Sequence, residues 1–145
     1  MQDEMPDRIY EAAKETVLVV EDSEPIRRVV IFMLRQTGYH CLEASNGAEA
    51  LNVLRAETKI QLVLTDVVMP GMGGAELARK VAREYPAVRL VFMSGYSDDP
   101  LVRSLERTPV FLAKPFTASA LTSIVRRALE HPWNGLPEIQ SDPTW

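Results

Sequence analysis

The chain has one cysteine, Cys41, among 145 residues, which excludes an internal disulfide framework. Cys41 falls in a short run, 40–44, that reads as a strand, and the expected role is that of a small buried hydrophobe. Basic clusters are also lacking. The 16 Lys and Arg are outnumbered by 20 Asp and Glu, the net charge is -4, and no stripe of positive charge appears. A nucleic-acid surface concentrates Lys and Arg on one face, so direct contact with DNA or RNA is not expected. No apolar run approaches the ~20 residues of a membrane-spanning helix. The first residues, Met1 to Asp7, have neither the basic nor the apolar region of a signal peptide. A cytoplasmic protein without membrane contact is expected. Gly71, Gly73 and Gly74 are not followed by Gly-Lys-Ser/Thr, so a nucleotide P-loop is rejected. No internal repeat has the period of a solenoid.

What is present is an ordinary core-forming composition, 46% apolar and 25% charged, in a length that suits one domain. Residues 1–14 read as a polar leader, 15–130 as the domain and 131–145 as a tail with three prolines and two tryptophans, Trp133 and Trp145. A loosely ordered terminus is the expectation for that tail, with docking of its tryptophans on the domain or a partner as the alternative. Within the domain, apolar runs at 16–20, 40–44, 62–65, 88–93 and 110–113 alternate with segments of helical period. Ser23-Glu24-Pro25 opens the first helix, which runs through Ile26, Val29, Val30, Phe32 and Met33 to stop near Gly38. Asn46-Gly47 opens the second, and the third runs from beyond Pro70-Gly71 towards Tyr85-Pro86. A short fourth helix is expected from Asp98 or Asp99 through Leu105, and Thr117 opens the last. Near-continuous apolar strands are buried on both faces, which calls for a parallel sheet between helical layers. Right-handed crossovers leave few topologies. The flavodoxin-like (βα)5 doubly wound α/β fold, strand order 2-1-3-4-5, fits best.

The strand ends carry the chemistry. Glu21 and Asp22 follow the first strand, Asp66 the third, Ser94 the fourth and Lys114 the fifth. Ligands of open α/β sheets bind outside the carboxyl ends of the strands, and order 2-1-3-4-5 makes strands one and three neighbours, so the three carboxylates should meet. Clustered carboxylates repel unless a cation joins them, and oxygen ligands suit magnesium. An ionised aspartate can also act as nucleophile towards phosphorus. Lys114 and Ser94 would offer an ammonium and a hydroxyl to phosphoryl oxygens, Gly95 would leave room beside Ser94, and amides near Val67 and Val68 could add donors.

Four pieces, Val20-Glu21-Asp22, Leu64-Thr65-Asp66-Val67-Val68-Met69-Pro70-Gly71-Met72-Gly73-Gly74, Met93-Ser94-Gly95 and Lys114-Pro115-Phe116, resemble the receiver domain of two-component response regulators over about 16–130. Each piece alone is weak; all four in order at strand ends are specific. The wording is similar to receivers of bacterial hybrid sensor histidine kinases, a style that single-domain regulators share. The resemblance implies a phosphoacceptor module, not an enzyme in its own right, with Asp66 taking a phosphoryl group from a phosphohistidine of a kinase or phosphotransfer protein. It implies magnesium held by Glu21, Asp22, Asp66 and the Val68 carbonyl, phosphate contacts from Ser94, Gly95 and Lys114, and a cis Lys114-Pro115 bond. Ser94 and Phe111 fall at the family's switch positions, and a homodimer is possible.

The chain departs from the pattern where Leu105-Glu106-Arg107-Thr108-Pro109 replaces a small-residue turn, which points to a short or displaced fourth helix and bears on the family's dimer face. Val68 and Tyr96 stand at the positions flanking the phosphorylation site, and neither orients water, so slow self-dephosphorylation is expected. Two other readings compete. One is a receiver-shaped docking domain that never takes phosphate, against which the intact acidic trio, Ser94 and Lys114 argue. The other is a small aspartyl-phosphate phosphatase, which would want an acid two positions beyond its nucleophile, where this chain has Val68. His40 and His131 are not on exposed mid-helix faces, which argues against a phosphohistidine donor.

Overall fold

A computed structural model describes residues 15–95, 97–131 and 133. Five strands alternate with five helices: β1 (Thr16–Val20), α1 (Glu24–Gln36), β2 (His40–Ala44), α2 (Gly47–Ala56), β3 (Ile60–Asp66), α3 (Gly74–Glu84), β4 (Arg89–Ser94), α4 (Pro100–Leu105), β5 (Phe111–Ala113) and α5 (Ala118–Glu130). All pairings are parallel, in the order β2-β1-β3-β4-β5. This is the flavodoxin-like arrangement expected from the alternation. The leader, 1–14, lies outside the described residues.

Side chains of a strand alternate between faces, and β1 shows how two layers of helices are held. Val17 and Val19 enter a core with Val30, Ile31 and Leu34 of α1 and Leu121, Ile124 and Val125 of α5. Leu18 and Val20 point the other way, into a core with Ala50, Leu51 and Leu54 of α2 and Leu77 and Val81 of α3. All four β1 residues are fully buried, each contributing about 1.5–3 kcal/mol by leaving water. A third, smaller cluster joins Val67, Ala78 and Phe92 to Val102 and Leu105 of α4 and to Val110.

Helix boundaries follow local chemistry. Ser23, Asn46 and Thr117 accept hydrogen bonds from the amides of Ile26, Glu49 and Ala120, and Asp99 does the same for Leu101, each satisfying an amide that the helix leaves unpaired. Gly38 adopts a φ of 95° just past α1, a region that side chains with a Cβ avoid. α4 has only six residues, as the 105–109 stretch foreshadowed. Strand limits differ slightly from the apolar runs because pairing, not hydrophobicity, sets them. β3 begins at Ile60, opposite Thr16; β4 shifts by one residue to end at Ser94. β5 begins at Phe111, although the Val110 carbonyl still accepts from the Phe92 amide.

Two features were not set by the apolar runs alone. α1 buries Val30, Ile31 and Leu34, while Ile26, Val29 and Phe32 face solvent at 38%, 51% and 64% exposure. Its apolar residues are too many for the single stripe that packs on the sheet. Trp133, placed by composition in a loosely ordered tail, packs against the third cluster; Trp145 lies outside the described residues. Cys41 is half-buried, and burial raises its thiol pKa to about 11, which keeps it unreactive.

Candidate functional site

Register brings the predicted residues together. Val20 pairs with Thr65, so Glu21 and Asp66 leave adjacent strands at the same level. Asp66 pairs with Met93 and Ser94 with Ala113, which puts Ser94 and Lys114 on the next step outward. The strand ends are tied by main-chain bonds: Glu21 N–H to Ala44 O (3.1 Å), Val67 N–H to Met93 O (3.0 Å) and Lys114 N–H to Ser94 O (2.8 Å). Carboxylate oxygens of Glu21, Asp22 and Asp66 lie within 4.8 Å of one another.

Glu21, Asp66 and Ser94 are buried, whereas Asp22 is exposed at the mouth. The Glu21 carboxylate accepts from the Ser23 amide (3.0 Å) and from Lys114 Nζ (2.8 Å). The same ammonium lies 3.4 Å from Asp66 Oδ2. Burial works against the Lys114 charge, but the bond to Glu21 and the charges of Asp66 and Glu21 outweigh it and hold the ammonium above its ordinary range. Burial, followed by the charge of Glu21, raises the Asp66 pKa to about 6, with Lys114 opposing both. Asp66 is thus a desolvated carboxylate, ionised at neutral pH and short of positive charge. The donor set is all oxygen and carries three acids against one lysine, a fit to a hard dication such as magnesium.

Gly95, Val68 and Phe111 occupy less decisive places. A Cβ at Gly95 would meet nothing within 4 Å, so the site is open beside Ser94. The Val68 side chain is 56% exposed at the rim. Phe111 is partly buried on the flank of the third cluster. The Lys114–Pro115 peptide bond is cis. Tyr96 lies outside the described residues.

Two residues that the sequence reading passed over support the site. Arg27 donates to the Glu21 carbonyl (2.7 Å) and to Glu43 (2.7 Å), pinning the β1–α1 loop to β2. Its position one turn beyond the acidic pair, with a glutamate on the neighbouring strand, was the available signal. Gly74 packs so closely on the Asp66 carbonyl and the Val67 Cα that a Cβ would collide with both. Its amide donates to Val67 O (2.9 Å).

The response regulator receiver domain family matches residues 17–126. The chain belongs to that family. This receiver is 36% identical over 118 residues to the sensor kinase CckA of Brucella abortus, covering 79% of this chain and 12% of that protein. It is 34% identical over 115 residues to the response regulator receiver protein CpdR of the same organism, covering 78% of this chain and 95% of that one. The chain therefore spans about an eighth of one relative's length and nearly the whole of the other. Among solved structures, the receiver domain of the hybrid histidine kinase CckA superposes with a TM-score of 0.64 at 32% identity, covering 79% of this receiver and 98% of that chain. The chain is a signalling receiver of the two-component type. Among the described residues, no helix is long and apolar enough to cross a membrane.

Proposed function

We propose that this receiver is a phosphoacceptor and that Asp66 takes the phosphoryl group from a phosphohistidine of a cytoplasmic histidine kinase or phosphotransfer protein. The observation that carries the reading is the state of Asp66: buried, charged, beside Lys114, and ringed by two further acids. An Asp66 oxygen attacks phosphorus, the P–N bond breaks, and its electron pair returns to the imidazole nitrogen. Lys114 then exchanges its contact with the carboxylate for one with a phosphoryl oxygen, and the Ser94 hydroxyl donates to another. Glu21, Asp22, Asp66 and the Val68 carbonyl would hold magnesium, which supplies charge neutralisation for the incoming phosphoryl oxygens. Movement of Ser94 towards the phosphate, with Phe111 following into the space, would carry the signal outward. The exposed Val68 beyond the nucleophile offers no general acid, which argues against a phosphatase.

A docking surface for the donor lies next to the nucleophile. Ile26, Val29 and Met33 of α1, with Lys114, Pro115 and Phe116, line an apolar groove of ≈ 520 Å³. Such a groove suits the apolar face of a partner helix that presents its histidine to Asp66.

Intact mass after incubation with acetyl phosphate, with and without Mg2+ and beside Asp66→Asn, tests the reading. One added phosphoryl group that requires both Mg2+ and Asp66 is expected. A folded protein that gains no mass from acetyl phosphate or from a phosphohistidine donor refutes it.

A further inference from the structure

The third apolar cluster begins next to the phosphoacceptor and ends under a tryptophan. Val67, which follows Asp66, packs with Ala78, Phe92, Val102, Leu105 and Val110. Phe111 and Trp133 both rest on that cluster, together with Leu101 of α4. β4 and β5 are coupled beneath it: Phe92 pairs with Phe111, and the Phe92 amide donates to Val110 O at 2.8 Å. α4, at six residues, covers little of this side of the sheet, and Trp133 comes from beyond α5 to cover more.

From this we infer that Trp133 is the chain's own cover for the third apolar cluster, and that phosphorylation of Asp66 loosens it. The inference rests on the phosphoacceptor reading given above. Ser94 is buried at the end of β4, two residues beyond Phe92, and its carbonyl accepts the Lys114 amide at the end of β5. A phosphoryl group that draws the Ser94 hydroxyl and the Lys114 ammonium towards it therefore pulls on both strands that carry the cluster. Phe111 then turns from the flank of the cluster towards the space beside Ser94. Trp133 loses part of the surface that holds it, because a packed cluster shifts between discrete arrangements and does not stretch. The phosphorylated receiver would present an apolar face that the resting one keeps closed with its own tryptophan.

The test uses the full chain carrying Trp145→Phe, so that Trp133 is the single tryptophan. It is treated with acetyl phosphate and Mg2+, and each sample is read by intact mass and by tryptophan emission with acrylamide quenching. Added mass with a red shift and stronger quenching, both lost in Asp66→Asn, is the expected result. Added mass with unchanged emission and quenching overturns the inference and leaves the phosphoacceptor reading standing. No added mass, from acetyl phosphate or from a phosphohistidine donor, overturns both. Phe111→Leu, compared at equal added mass, should show little of the shift; the full shift in that variant overturns the proposed route through β5.

Discussion

Replacing Asp66 with asparagine should make the metal-free receiver more stable, not less, at neutral pH. On folding, the Asp66 carboxyl goes from an ordinary pKa of 3.8 to about 6, because burial and then the Glu21 charge disfavour its ionised form. The ionised carboxylate therefore costs the folded state about 3 kcal/mol at a pH well above both values. Asparagine fills nearly the same volume without the charge. Allowing for relaxation around it, a gain of about 2 kcal/mol is expected, which for a domain of this size raises Tm by roughly 4–10 °C. The pH dependence follows from the direction of the shift. Below pH 3.8 the carboxyl is protonated in both states and adds no penalty. Between pH 3.8 and about 6 the folded state holds its proton more tightly than the unfolded chain, so wild-type stability falls with rising pH. Above about 6 the penalty is complete. Urea unfolding of both proteins with EDTA, from pH 4 to pH 8, should show a gap that opens through this window and then stays level. Mg2+ should narrow the gap by stabilising the wild type alone. An Asp66→Asn variant no more stable than wild type at pH 8, or a gap independent of pH, would refute the assignment of Asp66 as a destabilised, desolvated acid.

Lys114→Met should cost about 3 kcal/mol in urea unfolding without metal, since it leaves Glu21 buried without its ammonium, and Mg2+ should recover part of the loss. Equal stability in the metal-free proteins would rule out the Glu21 pair as a structural element. Gly74→Ala should lower stability by about 2 kcal/mol and slow phosphorylation by acetyl phosphate, because its Cβ pushes on the Asp66 carbonyl; an unchanged rate would detach Gly74 from the site. Val29→Glu should be neutral to stability, as the side chain is 51% exposed, and neutral to acetyl phosphate, yet slow phosphotransfer from a histidine donor that docks in the groove Val29 lines; loss of both donors would point to misfolding instead. The aspartyl-phosphate should decay over minutes or longer in the purified protein, as the apolar Val68 side chain beside the site activates no water, and a lifetime of seconds would contradict this.

Much of this protein was legible in one dimension. Strand and helix alternation is a matter of hydrophobic period, which lies in adjacent residues. The helix starts at Ser23, Asn46 and Thr117 depend on a side chain and an amide three positions away. Right-handed crossovers then limit the sheet to few orders, so the meeting of Glu21, Asp22 and Asp66 followed from topology alone. What depended on the assembled sheet was every quantity set by neighbours far apart in the chain. The Asp66 pKa depends on desolvation and on Glu21 and Lys114, 45 and 48 positions away by sequence number. The Lys114 ammonium bridges Glu21 and Asp66 because the β1, β3 and β5 ends converge there. Gly74 is required by the backbone beneath it, whereas a Cβ at Gly95 would meet nothing within 4 Å. α1 carries more apolar residues than the sheet can cover, so packing alone decided that Ile26, Val29 and Phe32 face outward. Trp133 falls in the tail that composition marks, and only the assembled domain shows it packed against the third cluster. Local pattern determines which elements form; burial and charge summed over several elements determine which side chains do chemistry.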